Sequence, residues 1–467
     1  MNPFHSEVKK IFSYSCLFFL FSVLVPPVAA ADPVLPAAQL QPAVAPLVTI
    51  NNGDNAWLLA SSALVLMMTA PGLILFYGGL VRPKNVLSTM MHSLILMALI
   101  SAAWMVYGYS LAFGAGNAFF GNPLSHLFLK GVGGAPDADY AGTIPAQTFM
   151  LFQMMFAIIT PALISGAVAE RVKFKAYVVF MLLWMTVVYL PLCHMVWGKG
   201  GYLNWALGGK IPVLDFAGGM VVHISSGVSA LVFAIMLGKR AGFPREPMVP
   251  HNVVLSLVGT GLLWVGWFGF NAGSSISSGL STAQALTATQ VAAASGALSW
   301  ILIESMHQGK ATALGFASGI LAGLVAVTPA AGVVQPYGAM ILGFLASVVC
   351  YSAIQVKNKL GYDDSLDAFG IHGVGGIVGA LLLTFFIRPS WMHDAAIAAG
   401  GKWTIWNQLG VQGLAVTIAI VYAAVMTLII IYILNKFIKF KSSETDEMAG
   451  MDRSYHGERG YGMLNPS

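Results

Sequence analysis

Eleven apolar stretches recur along this chain of 467 residues, at about 56–78, 86–113, 147–169, 174–197, 215–238, 252–274, 285–306, 312–331, 336–357, 368–387 and 409–435. Each lies near the ~20 residues that an α-helix needs to cross a bilayer. Backbone groups inside hydrocarbon must be satisfied within the segment, so stretches of this kind become helices. Charged residues make up 9% of the chain and hydrophobic ones 57%, against roughly 25% charged in a soluble domain. The expected fold class is therefore an all-α polytopic membrane protein with eleven transmembrane helices, and a water-soluble fold is excluded.

The leading segment reads separately. Lys9 and Lys10 precede an apolar run from Ile11 to Val25, and Val28-Ala-Ala-Ala31 offers small residues for cleavage, so residues 1–31 are expected to be a cleavable signal peptide. An uncleaved anchor helix is the competing reading. Residues 32–50 form an Ala/Pro-rich linker, 51–440 the membrane domain and 441–467 a polar carboxyl-terminal tail. With the amino terminus outside, sixteen of the 23 Lys and Arg fall on inner loops and the tail, five on outer loops and two in the signal. This satisfies the positive-inside rule. The orientation is N-out and C-in, and the signal points to a bacterial inner membrane.

Eleven spans divide into five, five and one. Because five is odd, the two halves would be inverted, which places a solute path at their interface near the midplane. The fifth span of each half carries an aspartate followed by a histidine, in Asp215-Phe-Ala-Gly-Gly-Met-Val-Val-His223 and Asp367-Ala-Phe-Gly-Ile-His372. Ionisable groups inside a bilayer are costly and need a partner or a pathway, so two in comparable settings suggest one paired site; chance spacing in a glycine-rich membrane protein is the alternative. Gly315, Gly319 and Gly323, and again Gly375 and Gly379, repeat at four-residue spacing, which suits close helix packing. Pro71, Pro161, Pro191 and Pro329 are expected to mark kinks.

Other classes fall away. No Lys or Arg lies mid-span, and Glu304 and Asp367 sit near span ends, so the carboxylate relay of a proton-driven antiporter is not evident. The dispersed basic residues behind the net charge of +5 form no nucleic-acid patch. Cys193 and Cys350 fall in spans and imply neither a disulfide framework nor a metal site. No nucleophile–base constellation or phosphate loop marks an enzyme, and no cofactor is implied.

Asp215-Phe-Ala-Gly-Gly-Met-Val-Val-His-Ile-Ser-Ser-Gly-Val-Ser-Ala, followed by Gly238-Lys-Arg240, resembles the signature of the ammonium transporter family. Phe76-Tyr-Gly-Gly-Leu-Val-Arg82, Ala169-Glu-Arg171, His194-Met-Val-Trp197, Trp267-Phe-Gly-Phe-Asn-Ala-Gly-Ser274 and Phe369-Gly-Ile-His-Gly-Val-Gly-Gly376 resemble it in order and spacing, across about residues 50 to 460. The resemblance implies an inverted five-helix repeat plus one further helix, and a homotrimer with a pore in every subunit. It also implies an outer recruitment site at Phe156, Trp197 and Ser274 supported by Asp215, a stacked gate of Phe156 and Phe270, and twin pore histidines, His223 and His372. Phe156 is reached through Phe152-Gln-Met-Met-Phe156, where the family commonly has smaller residues between the two aromatics.

These roles make physical sense. Ammonium has four donors and a positive charge but a radius close to that of potassium, so size does not select it. The aromatic faces of Trp197 and Phe156 would attract the cation, and the Ser274 hydroxyl would accept one of its hydrogen bonds. An ion is costly in an apolar pore, so deprotonation near the gate and passage of ammonia past the histidines is the expected route. Each residue has a plainer reading: Trp197 as an interfacial anchor, Phe156 and Phe270 as packing, Ser274 bonded to a backbone carbonyl, and Asp215 satisfying amides at a helix start. His92 and His194 are expected to be structural.

Glu444-Thr-Asp-Glu447, Gly450-Met-Asp-Arg453 and His456-Gly-Glu458 resemble the cytoplasmic tail of bacterial members, which implies packing on the inner face and a PII-type regulatory partner. A solvated tail is the alternative. Methylammonium is the natural substrate analogue. The competing functions are an ammonium sensor signalling through its tail and a channel for another small neutral solute, such as carbon dioxide or water.

Overall fold

The computed structural model describes residues 49–388 and 403–461. The expected signal peptide, the linker up to residue 48, Lys402 and residues 462–467 lie outside the described residues. Among the described residues, ten helices are long and apolar enough to cross a membrane: α1 (Asn52–Leu80), α2 (Pro83–Phe113), α3 (Ala146–Val168), α4 (Phe174–Trp197), α5 (Gly219–Leu237), α6 (Val253–Gly273), α7 (Leu280–Gln308), α9 (Pro336–Leu360), α10 (Phe369–Phe386) and α11 (Ile405–Leu434). Between α7 and α9 lies α8 (Ala313–Val327), an apolar helix of 15 residues.

The boundaries follow local chemistry. Asn51 starts α1 by accepting from the Gly53 and Asp54 amides, Asn252 starts α6 by accepting from Leu255, and Thr312 starts α8 by accepting from Gly315; each supplies an acceptor for a helix-start donor. Gly309 and Gly361 end α7 and α9 in the left-handed conformation that glycine tolerates. α8 is shorter than the apolar run from 312 to 331 because it stops before Pro329, and the buried Ala330, Ala331, Val333 and Val334 continue as a turn. Hydropathy alone cannot separate a buried apolar turn from a helix.

The prolines behave unequally. α1 breaks at Ala70 (φ −136°, ψ 113°) beside Pro71, and α4 widens into a π-helical turn over Met185–Tyr189 just before Pro191. Pro161 lies inside an α-helix that runs unbroken, and Pro329 ends a helix, its carbonyl accepting from the Phe216 amide at 3.1 Å. The four-residue glycine spacing does bring backbones together. A Cβ on Gly319 would lie 2.6 Å from the Gly296 carbonyl oxygen, one on Gly323 2.2 Å from that of Ala292, and one on Gly379 2.1 Å from that of Ala326.

Two ends of the bundle differ in chemistry. At one end, the loops after α1, α3, α5 and α9 converge on a buried ion network: Glu170 bonds Arg82 and Arg240, and Asp363 pairs with Arg240 and Arg171. The tail packs on this end. Its Asp452 carboxylate accepts from the Leu87 and Ser88 amides and so caps the start of α2, while Glu447 accepts from Ala241 and the Met451 amide donates to Asn85. The tail through Tyr461 is thus docked rather than solvated. At the other end, an aromatic cavity opens between α3, α4 and α6.

Candidate functional site

The four-carbon reach of Lys357 corrects one reading of the sequence. Asp367 is not the counterpart of Asp215; it pairs with Lys357 at 2.5 Å. That counterpart is Asp364. Asp215 accepts from the Gly218, Gly219, Met220 and Val221 amides at 3.1, 2.5, 2.8 and 3.2 Å, capping α5 from outside the helix that had been expected to begin at residue 215. Asp364 accepts from Ala368 and Phe369 at 3.1 and 2.8 Å, capping α10. Each aspartate stands eight positions before its histidine. The Asp364 carboxyl is pushed up to about 6 by burial and by neighbouring Asp367, against the pull of Lys357.

Both capped segments open as π-helical turns, Gly219–Ile224 and Phe369–Gly373, and each carries its histidine there. π turns widen the helix and turn a side chain away from the regular face. The imidazoles of His223 and His372 stack with centroids 5.3 Å apart and planes 16° from parallel, with Nδ1 to Nδ1 at 3.3 Å. One nitrogen of that pair donates and the other accepts, so the contact couples their tautomers.

The helices that carry them cross backbone to backbone. A Cβ on Gly227, four residues after His223, would lie 2.1 Å from the Gly373 amide nitrogen; one on Gly376, four after His372, would meet the Gly219 carbonyl oxygen at 3.0 Å and His223 Cβ at 3.1 Å. Gly227→Ala is therefore expected to destabilise the fold by about 1–3 kcal/mol through overpacking, read as a lower unfolding midpoint in detergent. An unchanged midpoint would mean that the crossing can loosen without penalty.

On the open side of the histidines lie the aromatics. Phe156 on α3 and Phe270 on α6 stack with centroids 4.2 Å apart at 30°, and the stack separates two cavities. The outer one, about 300 Å³, is lined by Phe156, Trp197, Asp215 and Ser274 among others. The inner one, about 10 Å³, is lined by Phe270, Trp267, His223 and His372 with apolar neighbours, roughly the room that one water needs. Trp197 and Phe156 lie perpendicular, at 89°, with centroids 5.9 Å apart. The Trp197 Nε1–H donates to the Asp215 carbonyl at 2.8 Å, which fixes the indole in the wall of the cavity. The Ser274 hydroxyl donates to the Phe270 carbonyl at 2.9 Å, so its oxygen remains an acceptor.

The seven sequence-predicted residues thus form one column: Asp215, Trp197, Ser274 and Phe156 at the outer cavity, Phe270 beneath, then His223 and His372. His194 is a brace, its two ring nitrogens 2.9 and 2.8 Å from the Ala112 and Asn117 carbonyl oxygens, and His92 is packed between Phe174 and Tyr177. Asp364, Gln153 and Gln412 escaped the sequence reading. Gln412 on α11 clamps the peptide before Asp215, accepting from the Leu214 amide and donating to the Leu214 and Ala380 carbonyls at 2.8–2.9 Å.

The sequence profile of the Ammonium Transporter Family matches residues 56–461. This chain belongs to the ammonium transporter family. Among its relatives, the ammonium transporter of Bacillus subtilis is 45% identical over 412 residues, 88% of this chain and 98% of that one. Ammonium transporter Amt1 of Archaeoglobus fulgidus is 39% identical over 412 residues, 88% of this chain and all of that one. The crystal structure of Saccharomyces cerevisiae Mep2 superposes with a TM-score of 0.75 at 35% identity, covering 84% of this chain and 88% of Mep2. As a member of a transporter family, the chain is a multi-pass membrane protein and not an enzyme.

Proposed function

We propose that this protein is an ammonium transporter that collects ammonium in the outer cavity, releases a proton from it at the Phe156–Phe270 stack, either to water on the outer side or to a separate route along the histidines, and passes ammonia along His223 and His372. The observation that carries this reading is the division of one column into a cavity faced by aromatic rings and a hydroxyl, and a one-molecule cavity faced by apolar groups and imidazoles. A cation gains from the ring faces of Trp197 and Phe156 and from the Ser274 oxygen. The inner cavity offers no anion to hold a charge, so the species that fits it is neutral and hydrogen-bonding. Methylammonium shares the charge and three of the donors, and is expected to compete at the outer cavity.

The same reading takes α8 as an eleventh crossing. α1–α5 and α6–α10 are then inverted halves, supported by the matched Asp–x7–His caps and the reciprocal glycine crossing, and α11 is added. The aromatic cavity faces out and the ion network faces the cytoplasm of a bacterial cell, with the amino terminus outside after removal of residues 1–31. A homotrimer with one pore per subunit, and a PII-type protein acting on the tail 441–467, complete the assignment.

Purified protein in liposomes on a solid-supported membrane, pulsed with ammonium, methylammonium and potassium, tests it. Ammonium and methylammonium should each evoke current or internal alkalinisation and potassium neither. Trp197→Leu removes a cation–π face worth about 0.5–2 kcal/mol, and should raise the half-saturating ammonium concentration about threefold to thirtyfold. Silence of the wild-type protein in both readouts would overturn transport and leave a sensor or a different solute.

A further inference from the structure

Ammonium carries four N–H donors, and the outer cavity contains few oxygens able to accept from them. Asp215 is saturated, its carboxylate engaged by four backbone amides. The Asn204 side chain, also on the wall, accepts from the Ala206 and Leu207 amides and donates to Gly198. Tyr140 donates to the Phe113 carbonyl and accepts from the Lys199 amide, and Asp139 is an exposed carboxylate whose Oδ2 takes Lys199. Trp197 offers a ring face and no acceptor. Ser274 leaves one oxygen.

Gln153 differs from all of these. It sits on α3 one turn before Phe156, lines the same cavity and is 9% exposed, and its Oε1 is buried without a hydrogen-bond partner. A buried amide oxygen without a donor carries a desolvation penalty that a ligand N–H can remove. The geometry points to Gln153 as a second acceptor for ammonium in the outer cavity, its carboxamide taking an N–H of the ion beside the one that Ser274 takes. This rests on the outer cavity being the ammonium site. Two oxygens in an otherwise aromatic cavity would also separate ammonium from a spherical ion of like size: the ion with directed donors satisfies both acceptors while its charge lies over the rings. Gln153 is thus a specificity-determining residue for the transported ion.

Three full-length variants reconstituted beside the wild type test this: Gln153→Leu, Gln153→Met and Gln153→Glu. A hydrogen bond to a charged group contributes about 1.5–3 kcal/mol, so Gln153→Leu and Gln153→Met should raise the half-saturating ammonium concentration about tenfold or more, while Gln153→Glu, which keeps an acceptor oxygen and adds a negative charge, stays at or below the wild-type value. Potassium inhibition of ammonium transport should strengthen in the apolar variants alone. A role in packing predicts the reverse order, with Met tolerated and Glu impaired. Wild-type saturation in Gln153→Leu, or in Gln153→Met should the leucine variant not assemble, overturns the inference, as does equal impairment of all three. A silent wild type strikes at ammonium transport itself, whereas a conducting wild type with indifferent variants strikes only at Gln153.

Discussion

Glu170→Ala should leave little folded protein. The Glu170 side chain is fully buried and its carboxylate takes three bonds: from the Arg82 amide at 2.7 Å, from Arg82 Nε at 3.0 Å and from Arg240 Nη1 at 3.1 Å. Removing one partner of a buried ion pair costs about 3–5 kcal/mol, because the charges left behind lose their compensation. Glu170 also sits at φ +70°, a conformation that costs a non-glycine residue and persists where its surroundings hold it. Its carboxylate contacts are part of that hold. The expected readout is a large fall in unfolding midpoint in detergent, with Glu170→Gln intermediate because an amide oxygen still accepts from the Arg82 amide.

The same residue sets a pH dependence. Burial pushes the Glu170 carboxyl up, but Arg240 and Arg82 pull it further down, and the net position is below the ordinary carboxylate range. Its contribution is therefore present above the unfolded value of about 4.3 and lost as pH falls through the lower folded value. The wild-type midpoint should drop in that acid window and Glu170→Gln should lack this component of the drop. A variant that tracks the wild type at every pH would remove Glu170 from the acid sensitivity.

Asp215→Ala should all but abolish transport. Four amides at the start of α5 lose their acceptor together, and a buried donor left unmade costs about 1–3 kcal/mol. A loss of about 3 kcal/mol in holding the capped turn corresponds to roughly a hundredfold fall in the initial ammonium-evoked current or alkalinisation at matched protein. The cap holds the π turn that carries His223 and the carbonyl that fixes the Trp197 indole, so one substitution reaches both ends of the column. Asp215→Asn retains one accepting oxygen and should fall between. Currents from Asp215→Ala equal to the wild type would show that the column is positioned by other contacts.

Much of this was readable in the chain, and the lapses have physical causes. Apolar runs located ten long helices within a few residues, because burial in lipid imposes one pattern on every span. The end of α8 was missed since Ala330 to Val334 are as apolar as a helix but turn within protein. The histidine pair was legible as a repeated motif, whereas the Asp364 cap was not: Asp367 lies closer to His372 and drew attention from the eight-residue spacing that both halves share. Gln153 gave no local signal. Its place on the cavity wall depends on α3 facing α4 and α6, and that is a fact of packing that no single stretch of sequence carries.

The glycine crossing under the histidines has a kinetic corollary. Backbone-to-backbone packing of α5 and α10 at Gly227 and Gly376 opposes the rocking of one half against another by which alternating-access carriers work. The parts still free to move along the proposed path are side chains, chiefly the rings of Phe156 and Phe270. Rotamer motions belong to far faster timescales than the microsecond-to-millisecond swings of domains. On the proposed path, turnover would be set by the arrival and deprotonation of the solute, and its flux should saturate like that of a narrow pore with a selective mouth.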